Sequence, residues 1–318
     1  MASPAILDLE KLLAPIAGTD PKGQALPFEK RAALDEKRKE IDPNTFAAND
    51  PRRPTEPQHA DWQGIEQLTQ DILTGTSKDV LVAVRLLEAL VKRHGFAGLR
   101  DGLRLLQRLM HEAWDRMYPI IEDGDMDARA APFFWLDDEN RAALFPVALR
   151  LTPLVKALDD QTKEEQKYAW QHWKEMQDGK GKVSADAFNR AVMATPREFC
   201  QAAVDDIGES VAELTELTKI LSAQMGPKMG DQAPSMSRVR AALLDCQSLA
   251  QQILQKKGPA PVAAPADPAK TGQPGESAPN GAAEVAIAKR RLTREDVLEC
   301  MKVSSDLMKH QFAVQEIF

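Results

Sequence analysis

Between Ser77 and Met117 the apolar positions recur at alternating steps of four and three. Val80, Val84, Leu87 and Val91 share one helical face. After the run His94-Gly95-Phe96-Ala97-Gly98, Leu99, Leu103, Leu106, Met110, Ala113 and Met117 continue the same alternation. This spacing predicts an α-hairpin in which each helix covers the other's apolar stripe. Gly95 stands where the first helix should stop, and it is expected to close the last turn in a left-handed conformation. Gly98 and Gly102 lie one turn apart inside the second helix, where a glycine costs about 1 kcal/mol against alanine. They leave a bare strip, read either as tight helix packing or as a docking strip for a partner backbone.

The rest of the chain is patterned more weakly. Ile6, Leu9, Leu12 and Leu13 give a short helix within residues 1–17, and Gly18-Thr19-Asp20-Pro21 is a turn. Residues 27–41 read as a charged helix, and the prolines of 42–60 as a long loop. Asp61 is the expected N-cap of a helix carrying Trp62, Ile65, Leu68 and Ile72 inward, with Gly75 at its end. Leu144–Leu158 is expected to be a helix kinked at Pro146 and Pro153, and Thr162–Gln177 a helix with Trp170 and Trp173 on one face. Thr195-Pro196-Arg197-Glu198 reads as a capping box. It opens a helix to about Leu221, and a Gly226-Pro227 turn follows. Val239, Leu243, Cys246, Ala250 and Ile253 form another stripe, so a second antiparallel bundle is expected.

Residues 258–284 are rich in Pro, Ala and Gly and lack large aliphatic or aromatic residues, the composition of an unfolded linker. Beyond it, Val297, Met301, Met308 and Phe312 mark one face of a last short helix. The predicted fold class is all-α. Residues 1–157 are expected to be an N-terminal helical domain, 158–257 a middle bundle, 258–288 a linker and 289–318 a partial assembly segment.

Composition narrows the function. A net charge of −7, with charges of both signs interspersed, argues against nucleic-acid binding. Asp8 and Glu10 sit where a signal peptide needs an apolar core, and no apolar run approaches the ~20 residues that span a bilayer. Cys200, Cys246 and Cys300 form no CxxC pair, which suggests reduced thiols in a cytoplasmic protein. Asp123, Asp125 and Asp127 have the spacing of the first calcium-loop ligands. However, Ala128 and Phe134 occupy positions that demand glycine and glutamate, so a solvated acidic loop is expected, with Arg129 pairing there or at the helix end near Tyr118. His94 is expected at a helix C-terminus, favoured by the dipole. His59, His111, His172 and His310 form no metal or catalytic motif, and neither a phosphate loop nor a nucleophile elbow is present. No catalytic residue, metal or cofactor is expected.

One ordered set of residues resembles a known family. GFAGLRDGLRLLQ (95–107), Trp114-Asp115, Tyr118-Pro119, an acidic loop, Asp127-Ala128-Arg129 and Trp135-Leu136 resemble the ImpA-type N-terminal domain of TssA proteins of the type VI secretion system. The resemblance extends upstream through Ser77-Lys78-Asp79, Asp61-Trp62 and Gly18-Thr19-Asp20-Pro21-Lys22-Gly23, about the first half of the chain. It singles out Gly95, Phe96, Gly98, Leu99, Gly102, Trp114, Tyr118, Pro119, Arg129 and Trp135 as interaction candidates. ATPREF (194–199) and SMSRVRAAL (235–243) also resemble the middle region of short TssA proteins. In the family, a helix containing Arg-Glu-Asp opens the C-terminal assembly domain. Here Arg294-Glu295-Asp296 leads instead to Lys309-His310-Gln311-Phe312, a departure from that pattern.

The resemblance implies a non-enzymatic component that helps build the contractile tail, contacting baseplate, inner-tube and sheath proteins from the cytoplasmic side. Two other classes stay open: an intracellular helical enzyme with an unrecognised site, and a helical adaptor of an unrelated assembly. Several apolar side chains of 289–318 have too little chain to form a core, which leaves two outcomes open: self-association of this segment, or a frayed helix. Light scattering on the whole chain and on residues 1–257 should find no well-defined ring, only monomers or small, concentration-dependent oligomers that depend on 289–318. A single ring-sized species from the whole chain at low concentration would overturn the expectation.

Overall fold

The two apolar stripes form α4 (Val80–Glu112), which is folded back on itself at Gly95. Its arms, 80–94 and 96–112, run antiparallel. A Cβ on Gly98 would lie 2.2 Å from the Leu90 carbonyl oxygen, and one on Gly102 would lie 2.5 Å from Leu87 Cδ1. The strip left by the two glycines is therefore filled by the first arm, and it does not face a partner. Gly95 has φ 61° and ψ −134°, a conformation that a side chain rarely tolerates. Its positive φ agrees with the expected cap, but its ψ differs from that of the left-handed helix. One residue thus reverses the chain.

Val80, Val84, Leu87, Val91, Leu99, Leu103, Leu106, Met110, Ala113 and Met117 are all buried, as their spacing predicts. Val82, Leu86, Leu90, Leu105 and Leu109 are buried as well. The arms are apolar on more than one face because other helices cover both sides. α3 (Trp62–Gly75) packs on α4, with Asp61 accepting the Gly64 N–H as its N-cap. α1 (Leu9–Leu13), α2 (Phe28–Lys37) and α5 (Asp127–Leu136) complete this layer. The structure, a computed structural model, describes residues 1–47, 49–140, 144–158 and 164–258. The linker beyond Gly258 and the segment 289–318 lie outside the described residues.

Two expected helices are partly strand, so the fold is mostly helical and not all-α. α6 (Phe145–Arg150) ends before Pro153, and β1 (Pro153–Leu158) pairs antiparallel with β2 (Glu165–Ala169). Pro153 has no N–H to offer the Leu149 carbonyl, which accepts instead from the Thr152 N–H at 3.0 Å and the Cys246 thiol at 3.5 Å. Freed from the helix, Leu154, Val155 and Ala157 are buried. Tyr168 stacks on Phe188 of α8 (Ala185–Ala194) at 5.7 Å, which seats β2 on that helix. Only the second half of the expected 162–177 helix remains, as α7 (Trp170–Gln177).

The capping box at Thr195 is also replaced. The Thr195 hydroxyl donates to the Ala191 carbonyl at 2.8 Å, closing α8, and accepts the Lys156 N–H of β1 at 3.1 Å. α9 (Arg197–Met229) starts without a side-chain cap. It runs past the expected turn at Gly226-Pro227, because Met225 is still buried and Pro227 falls in its last turn. α10 (Ser237–Lys256) returns antiparallel to α9, with Arg240 bonded to Thr215 and Lys257 to the Thr195 carbonyl.

The expected boundary at 157/158 is not a break in packing. It falls inside the two-stranded sheet, and α9 lies along the second arm of α4. A buried ionic network joins the two. Arg100 donates to Asp101 at 2.7 Å, to Asp206 of α9 at 2.6 Å and to the Ser3 carbonyl at 2.7 Å. Asp101 accepts the Ile6 N–H at 2.6 Å, and Asp206 accepts both the N–H and the hydroxyl of Ser3. Arg104 extends the seam to Glu213 and Glu209.

The close approach of the arms reverses the usual effect of adding a methyl group to a helical glycine. Gly98→Ala should gain about 1 kcal/mol of helix propensity but lose more to forced separation of the arms, since overpacking costs roughly 1–3 kcal/mol. The net expectation is a lower denaturation midpoint. A midpoint at or above that of the parent would show that the arms yield freely.

Candidate interaction groove

Lys78 and Asp79, just before α4, set the base of the site. Lys78 is among the largest fully buried side chains of the described residues. Its ammonium donates to the Leu12 carbonyl at the end of α1 and to the Leu73 carbonyl in the last turn of α3, at 2.7 Å for the latter. A cation thus satisfies the carbonyl ends of two helices. Burial, with Arg116 nearby, lowers its pKa to about 8. Asp79 is the N-cap of α4 and accepts the Leu81 N–H at 2.8 Å. Burial raises its pKa to about 6 against the opposing effect of that bond. The backbone on either side is clamped: the Lys78 carbonyl accepts the Tyr118 N–H at 2.7 Å, and the Tyr118 carbonyl accepts the Val80 N–H at 3.0 Å.

Arg129 holds the loop that follows α4. Its guanidinium is buried, lies 4.7 Å from the Trp114 ring and donates to the carbonyls of Trp114, Met117 and Pro119. Of the two partners expected for Arg129, the structure selects the chain around Tyr118 over the acidic loop. The loop so fixed includes the cis peptide Tyr118-Pro119 and presents Ile120, which is 51% exposed.

Trp135 of α5 forms the opposite wall. The guanidinium carbons of Arg85 and Arg38 lie 4.0 and 4.9 Å from its ring centroid. Arg38 also donates to both oxygens of buried Glu88, at 2.8 and 3.0 Å, so cations and ring are locked together. Arg85 reaches Asp35 at 3.5 Å, yet one of its terminal nitrogens has no hydrogen-bond partner among the described residues. Burial lowers the pKa of Arg85.

Tyr118, Pro119 and Trp135 thereby line one groove with a volume of 800 Å³, together with Leu26, Arg31, Asp79, Arg85 and Ile120. The other sequence candidates lie elsewhere. Gly98, Leu99 and Gly102 are buried inside the hairpin, while Gly95 and Phe96 line a separate cleft at its tip. Trp114 and Arg129 support the groove without lining it. Arg31, Arg85 and Ile120 were missed by sequence reasoning. The first two read as ordinary helix-surface charges, and only tertiary packing sets Arg85 on the Trp135 ring and Arg31 in the same groove. His94 sits at the end of the first arm as expected, with Nε2 3.0 Å from a Glu66 carboxylate oxygen.

The family model for the ImpA N-terminal region of the type VI secretion system matches residues 13–138. This stretch is similar to the ImpA N-terminal region of TssA proteins. Type VI secretion system component TssA1 of Pseudomonas aeruginosa is 32% identical over 127 residues, which cover 38% of this chain and 34% of that relative. The chain thus matches about a third of the length of that relative. The N-terminal domain of the TssA component of Burkholderia cenocepacia, which includes the conserved ImpA N-terminal region, has the same fold. The TM-score is 0.64 at 24% identity, over 79% of this chain and 95% of that one. The likeness therefore extends past residue 138, in keeping with the packing of α9 on the hairpin. No helix among the described residues is long and apolar enough to cross a membrane.

The raised pKa of Asp79 gives this chain an unusual pH dependence. A folded pKa of about 6 lies above the ordinary aspartate value of about 3.9, so the folded state binds its proton more tightly. The associated stability is full below about 3.9 and is lost as pH rises through about 6. Asp79→Asn keeps the cap and stays neutral. It should match the parent near pH 4 and exceed it by about 2–3 kcal/mol at pH 7. Denaturant titrations at the two pH values check this, and a difference that does not change with pH would refute it.

Proposed function

We propose that this protein is a TssA-type, non-enzymatic assembly component of the type VI secretion contractile tail, a reading that its ImpA N-terminal region supports. In this reading it works in the cytoplasm and binds tail components through the groove at Trp135. The partners are baseplate, inner-tube or sheath proteins. The observation that carries the reading is the convergence of the adjacent Tyr118 and Pro119 with Trp135 of the next helix, α5, on one groove. An exposed isoleucine stands beside it, and the Arg85 guanidinium packs on the Trp135 ring at 4.0 Å. An aromatic wall, a fixed loop and a partly desolvated guanidinium are features of protein-binding hot spots. The bound family of ion pairs around Glu88 keeps the wall rigid, so little entropy is lost on docking.

Ile120→Glu tests this reading without touching the core. In cells that assemble the apparatus, recovery of baseplate, tube or sheath proteins with the tagged variant should fall by about tenfold or more. The far-ultraviolet circular dichroism should stay the same. Undiminished recovery of all three classes would count against the groove.

A further inference from the structure

A second cleft opens at the tip of the hairpin, independent of the groove at Trp135. It has a volume of 310 Å³, at the small end of ligand-sized cavities of about 300–1,000 Å³. Its floor is apolar, made by Val91, Phe96, Pro153 and Phe199. Its rim is basic, with Lys92 and Arg93 from the first arm of α4, Lys156 from β1 and Lys167 from β2. Two carboxylates face these cations: Glu66 on Arg93 and His94, and Glu165 on Lys156 and Lys167 at 3.0 and 2.7 Å. A third, Asp206, is already neutralised by Arg100 at 2.6 Å. The rim therefore keeps an excess of positive charge on a chain whose net charge is −7. Phe199 belongs to the first turn of α9, which no side chain caps, so the positive end of a 33-residue helix adds to the same potential.

We propose that this cleft binds an acidic segment of a partner protein, with one apolar side chain on the floor and its carboxylates against Lys92 and Lys167. The apolar floor and the small volume favour a single side chain flanked by carboxylates. A nucleic-acid backbone would leave the apolar floor uncovered. Four parts of the chain converge here: the N-terminal stretch at Ser3, the hairpin tip, the sheet and α9. The cleft exists only because the ImpA region and the following helices form one body. A ligand here would therefore read the integrity of the whole folded unit.

Selection of a random displayed peptide library on the whole chain is the test. The consensus should pair Asp or Glu with one large apolar residue. A synthetic peptide of that consensus should bind with an affinity that falls as salt rises. Lys92→Glu combined with Lys167→Glu, both at exposed positions, should weaken it by about tenfold or more, whereas Lys180→Glu, outside the cleft, should not. Phe199→Ala gives a second reading through the floor and should also weaken binding. A consensus without acidic residues, no enrichment, or equal binding to the charge-reversed variant would overturn the proposal. Loss of this binding with retained tail-protein recovery would leave the reading of the Trp135 groove intact.

Discussion

The distance between the two arms of α4 is the constraint on which the rest depends. At Gly98 and Gly102 the second arm lies so close to Leu90 and Leu87 that no β-carbon fits without movement. Each glycine weakens its own helix, and the loss is offset only by contact between the arms. That contact fixes the crossing and presents two continuous apolar surfaces, one to α3 and one to α9. Gly95 makes the reversal within one residue, so the tip stays short enough for the sheet and α9 to meet it.

Charge then decides which elements may dock on those surfaces. Arg100, Asp101 and Asp206 are buried, and their desolvation is compensated only when the N-terminal stretch and α9 are both in place. The network specifies one arrangement of α9 and disfavours others, because a shifted register would leave charges unpaired. Lys78 serves the other side in a similar way, since two helix ends share one ammonium. Hydrophobic burial makes the body compact, and these polar clusters select the geometry it adopts.

The same economy shapes the proposed docking surfaces. The groove wall at Trp135 is held by Arg85, Arg38 and Glu88, which also seat α2 and α5 on the hairpin. The floor of the groove uses the Tyr118-Pro119 loop, which Arg129 anchors through three backbone carbonyls. Residues that resemble a binding motif thus divide into those that build the surface and those that line it. Gly98, Gly102 and Arg129 build, whereas Tyr118, Pro119 and Trp135 line.

The hairpin was legible in the sequence because its apolar period and its glycine joint are local signals. So were the Asp61 cap, the buried stripe of α10 and the run of motif residues from Gly95 to Trp135. The strands at Pro153–Leu158 and Glu165–Ala169 were not, because a short apolar run has no period that separates strand from helix. Their conformation is settled by Pro153, by the Thr195 hydroxyl and by Tyr168 on Phe188, which are contacts across the fold. The Thr195 cap failed for the same reason: a tertiary partner competed for the hydroxyl. The sequence alone determined the hairpin, the helices at Asp61 and of α10 with their core faces, and the family motif. Tertiary structure alone decided that α9 completes the hairpin domain and that Arg31, Arg85 and Ile120 share a groove with Trp135, because charges and exposed apolar residues gain meaning only from what packs beside them.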